Sequence, residues 1–125
     1  MKSFGWSVVA LMALFTLTAC SGGPPAPQIP SLMSPAGMTN TSAAAKNNEG
    51  VDHLVQGHYG ISETFFRDAI AAKNNFAEAH FNLGVALDGM EKHEDAKAAF
   101  QLAREFGADN PKIADNEILK KHLGM

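Results

Sequence analysis

"AEAHFNLGVALDGMEKHEDAKAAFQLAREFGADN", residues 77–110, decides how this chain folds. Shifting the sequence by 34 brings Ala43 onto Ala77, Ala45 onto Ala79, Asn48 onto Asn82 and Gly50 onto Gly84. The same shift pairs Val51 with Val85, Phe66 with Phe100 and Ala69 with Ala103. A repeat of this length is one supersecondary unit that cannot bury its apolar face alone and must stack on a neighbour. Within residues 77–110 the apolar positions recur at helical spacing in two runs. Gly84 and Ala96 remove bulk where two helices of a unit would cross. Leu83, Leu87, Phe100 and Phe106 are expected to fill the space around that crossing.

The "NLG" at Asn82-Leu83-Gly84, with the small, large, small spacing of Ala96, Phe100 and Ala103, resembles the tetratricopeptide repeat, a pair of antiparallel helices. The resemblance spans about 80 residues. It implies an all-α solenoid over residues 43–125, with repeats at 43–76 and 77–110. The first copy departs more, with Glu49 where the family has an apolar residue and Ser62 where it has alanine. Its turn, Gly57-His58-Tyr59, fits the family better than the corresponding Glu91-Lys92-His93. Helix one is expected to fray at its start, whereas Phe65, Phe66, Ala69 and Ile70 secure the second helix. After Gly107, Asn110-Pro111 reads as an N-cap followed by proline in the first turn. One capping helix over 111–123, with Ile113, Leu119 and Leu123 inward, closes the stack. Two and a half repeats make a marginal domain, which a self-partner or a bound segment would help.

Upstream of the repeats the composition changes. Residues 21–42, "SGGPPAPQIPSLMSPAGMTNTS", hold five of the six prolines and no charge. Such a stretch has little apolar surface to offset its ordering entropy, so 20–42 reads as a flexible linker. Before it, Lys2 precedes an uncharged apolar run over residues 4–19, the layout of a signal peptide and too short for a spanning helix. The run ends at the chain's one cysteine. Leu17-Thr18-Ala19-Cys20 resembles the lipobox of bacterial lipoproteins. That resemblance implies cleavage after residue 19 and acylation of Cys20, two or three chains together anchoring the protein stably. With Ser21 following the cysteine, it also implies an outer-membrane location facing the periplasm.

Losing Lys2 with the signal would take the formal charge from −3 to −4. That mild acidity, with scattered Lys and Arg, argues against a nucleic-acid partner. There is no nucleophile motif, phosphate loop or haem-attachment sequence, so no enzyme is expected and no cofactor. His53, His58, His80, His93 and His122 form neither HxxxH nor HExxH, so no metal site is expected. What remains is surface. The tetratricopeptide resemblance implies a groove lined by the first helix of each repeat. It presents Asn47, Val51 and Leu54, then Glu78, Phe81, Asn82, Val85 and Asp88, with Phe81 as its aromatic anchor. The groove lacks the cations with which some family members hold a free carboxylate. An envelope protein or peptide segment is the expected partner, and the chain an interaction module. The alternatives are an assembly factor for a pilus, secretion or outer-membrane complex, and, in another class, a metal-handling or enzyme-accessory protein.

Overall fold

A computed structural model of the chain describes residues 28–125. The expected signal segment, the expected lipidation site Cys20 and the first part of the expected linker lie outside the described residues. Among them there are six helices and no strand: α1 Thr41–Leu54, α2 Tyr59–Ala72, α3 Ala77–Gly89, α4 His93–Phe106, α5 Pro111–Ala114 and α6 Glu117–Leu123. No helix there is long and apolar enough to cross a membrane.

The helices pack as two hairpins, in the manner of a helical repeat. Asn40 caps the start of α1, its Oδ1 accepting from Ala43 N at 3.1 Å, while its Nδ2 donates to Ala72 O at 2.8 Å. The start of α1 therefore lies beside the end of α2, and the two run antiparallel. In the second hairpin the end of α4 at Gly107 meets the start of α3 at Ala77. The close approach expected at Gly84 is there, made against Phe100, and the first hairpin repeats it at Gly50 against Phe66. A Cβ on Gly50 would stand 2.6 Å from the Phe66 ring, and one on Gly84 would stand 2.7 Å from the Phe100 ring. Phe66, Phe100, Ala69, Ala103 and Ala96 are all fully buried. An added methyl at either glycine would have to displace a ring locked in a close-packed core.

Both hairpin turns use a left-handed residue at the same repeat position, Gly57 with φ +77° and Glu91 with φ +62°. Glycine carries no penalty there, whereas a Cβ does. Glu63 ties the hairpins together, accepting from Arg67 within α2 and from Lys92, 3.2 Å away at the start of α4.

The structure corrects several expectations. Phe106 is 41% exposed rather than core. The capping helix is not continuous over 111–123. It breaks at Asp115-Asn116, and Asn116 starts α6 by accepting from Ile118 N and Leu119 N. The break lets both Ile113 and Leu119 reach the core with no exposure. Residues 28–42 do not behave as a free linker. Ile29 and Leu32 pack on the main core cluster, and Met38 packs against Ala43, Ala69, Phe76 and Ala79.

Candidate functional site

The site is built where α1 and α3 lie side by side. Asn47, Val51 and Leu54 share one face of α1, at spacings of four and three residues. Phe81, Asn82 and Val85 come from α3, and all six side chains are buried. Val51, Leu54, Phe81 and Val85 belong to one apolar cluster, so the expected groove residues do converge, but as a covered floor rather than an open surface. Phe81 is the clearest correction. It is fully buried against Phe100, ring centroids 5.6 Å apart, and is core rather than a surface anchor. Glu78 and Asp88 stand at the two ends of α3.

What covers the floor is the chain's own residues 28–36. Ile29 and Ser34 each precede a proline, a context that disfavours helix and extends the backbone. Gln28, Ile29 and Pro30 line a cleft with Tyr59, Val85, Asp88 and Ile118, while Ser31 to Ala36 run beside Glu78 and Asn110. The segment thus passes along α3 from its last turn to its first, in the opposite direction to the helix.

Two side-chain amides hold it. Leu32 N–H donates to Asn82 Oδ1 at 2.7 Å, and Asn82 Nδ2 donates back to Leu32 O at 2.7 Å. Asn47 Nδ2 donates to the same carbonyl at 3.0 Å and to Ser34 Oγ at 3.2 Å. Asn82 Nδ2 also donates to Asn47 Oδ1 at 2.8 Å. Every hydrogen of both amides is used. The backbone N–H of Leu32 can only donate, and that fixes which end of the Asn82 amide is oxygen. Further along, Ser34 N–H donates to Asn48 Oδ1 and Ser34 Oγ–H to Ala44 O. Asn82 therefore meets Leu32 as a neighbouring strand would, through paired N–H and C=O groups. Such a clamp grips any extended backbone and leaves sequence preference to the apolar floor.

The ends of the site are polar. Glu78 Oε1 accepts from Asn110 Nδ2 at 3.0 Å. Asp88 Oδ1 accepts from His93 Nδ1 at 2.8 Å and from His122 Nε2 at 2.9 Å. Partial burial pushes the Asp88 carboxyl upward. The hydrogen bonds and charges of His122 and His93 together outweigh it and hold the group below its ordinary value. Through His122, which also packs on Phe100 at 4.8 Å, α6 is latched across the end of α3. His80 is buried, donating from Nε2 to Asn74 O and leaning on Phe106. Among the described residues no three His, Cys, Asp or Glu side chains are arranged to share a metal ion.

A second concavity escaped sequence reasoning. It lies on the far side, between α2 and α4, and is lined by Arg67, Ile70, His80, Leu83, Asp95 and Leu102. Its residues read as ordinary helix faces, so no local signal distinguishes it. Asn47 and Asn82 carried a signal, two asparagines inside otherwise apolar helix faces, where an amide needs partners. Nothing local named Leu32 as that partner.

Compared with family models, with curated proteins and with solved structures, the chain matches none.

Proposed function

We propose that this chain is a lipid-anchored adaptor of the bacterial cell envelope, two tetratricopeptide repeats and a cap, whose groove holds an extended segment of a partner protein. One observation carries the groove reading: the Asn47–Asn82 amide pair grips the backbone of an extended segment over an apolar floor. Backbone hydrogen bonds supply affinity in such recognition, and the side-chain pockets supply selectivity. The Leu17–Cys20 lipobox and the apolar run before it support the anchor.

Two measurements test this reading. Cys20→Ser should abolish acyl labelling and release the protein from the membrane fraction. Normal fractionation of that variant would rule the anchor out. Envelope extracts passed over wild type and Asn82→Ala should yield a partner with the first and not with the second. Equal recovery would remove the groove from the function.

A further inference from the structure

The clamp is occupied by the chain itself, and that occupation has a consequence for any partner. From the arrangement of Ile29, Leu32 and Ser34 on Asn47 and Asn82, we infer that residues 29–34 are a resident pseudo-ligand. A partner must displace it, and its pattern describes the segment a partner presents. This inference rests on the groove reading above and deepens it by naming the partner's chemistry and the competitor.

The chemistry follows from what each part of the segment touches. Leu32 gives both backbone groups to Asn82, so the central residue must be a non-proline with a free N–H. Ile29 and Leu32 pack on the apolar core cluster that includes Val51, Leu54, Phe81 and Val85, which asks for aliphatic side chains three residues apart. Ser34 gives its N–H to Asn48, and its hydroxyl both receives from Asn47 and donates to Ala44 O. That places a small hydroxyl residue two positions further on. Residues 28–34 carry no charge, and both clamping side chains are neutral amides. The fitting partner is an uncharged, extended protein segment with that spacing, held antiparallel to α3. Met33, 53% exposed between the two clamped residues, contributes nothing to the pattern.

The resident segment has the advantage of attachment. Only Pro35 to Asn40 separate Ser34 from the start of α1. A tether that short holds a ligand at an effective concentration on the order of millimolar. A free segment of about 0.1 mM intrinsic affinity would then bind the wild-type chain roughly tenfold more weakly than a chain whose own segment is disabled. Groove access is thereby set by how firmly residues 29–34 sit.

The test uses the full chain and a synthetic peptide of residues 28–36, QIPSLMSPA, with blocked ends. The Leu32→Asp chain, which cannot seat an aspartate on the apolar floor, should bind the peptide at least tenfold more tightly than wild type does by calorimetry. Adding Asn82→Ala should abolish that binding, and a peptide carrying the same Leu32→Asp change should bind neither chain. Equal affinity for wild type and Leu32→Asp, or no binding by a folded Leu32→Asp chain, overturns the inference. Should Leu32→Asp fail to fold, hydrogen exchange on wild type decides. Millimolar peptide should speed exchange at the Leu32 amide, and unchanged exchange overturns the inference. The anchored-adaptor reading fails on membrane fractionation and envelope capture instead, so the two failures are separable.

Discussion

The amides of Asn47 and Asn82, on different helices and 35 residues apart in sequence, meet at 2.8 Å inside the molecule and share one carbonyl, that of Leu32. Two buried amides so close would be a liability without that carbonyl. An unsatisfied buried polar group costs about 1–3 kcal/mol. The segment that covers the groove is therefore also what makes the groove's polar lining stable.

Removing one amide should show this. Asn82→Ala is expected to lower stability by about 1–3 kcal/mol in a chemical melt, through the orphaned groups of Asn47 and Leu32. Amide exchange at Leu32 should rise at the same time. A Leu32 amide that stays protected in Asn82→Ala would mean the clamp does not hold the segment.

The two glycine classes should respond with opposite signs. Gly84→Ala forces a Cβ to 2.7 Å from a fully buried Phe100 ring. Overpacking of about 1–3 kcal/mol should exceed the gain in helix propensity of about 1 kcal/mol. Gly60→Ala, in α2 with open space around its Cβ, should instead stabilise by up to about 1 kcal/mol. Melting temperatures moving in the same direction would contradict the crossing geometry.

Glu91 sits where the first hairpin has glycine, at φ +62°. Left-handed backbone costs a side-chain-bearing residue about 1–2 kcal/mol, part of which glycine returns as unfolded-state entropy. Glu91→Gly should stabilise the domain by up to about 1 kcal/mol. A melt showing clear destabilisation would mean that the turn is not strained.

Acid should weaken the fold through two carboxylates. Burial pushes Glu63 upward, but its hydrogen bonds and charge contacts with Arg67 and Lys92 leave it below its ordinary value, as His122 and His93 do for Asp88. A carboxylate depressed in the folded state adds stability that is fully present above its unfolded value. That stability is lost as pH falls through the folded value. Stability measured by urea should therefore decline below the ordinary carboxylate range, and Asp88→Asn should flatten part of that decline. An identical acid limb in Asp88→Asn would remove the His122 latch from the account. Both carboxylates are partly solvated, so the effect should shrink in high salt.

The 34-residue register, the close helix approach at Gly84 and the Asn110-Pro111 cap were legible in the sequence. Each depends on residues close along one helix or on a repeated spacing, and local periodicity records which face turns inward. The break at Asp115-Asn116 was less legible, because the apolar positions Ile113, Leu119 and Leu123 were compatible with one helix, and the packing of Ile113 and Leu119 decided for two. The fate of residues 28–34 was not legible at all. A proline-rich, uncharged stretch carries no period, and its partners are two asparagines contributed by separate helices, Asn82 lying 50 residues from Leu32. Phe81 was misplaced for a related reason. Helical register put it on the face of α3 toward the groove, but whether that face is surface depends on what else packs there. Phe100 from α4 packs on Phe81, the chain's own Ile29 and Leu32 pack on the same apolar cluster, and only tertiary structure brings them together.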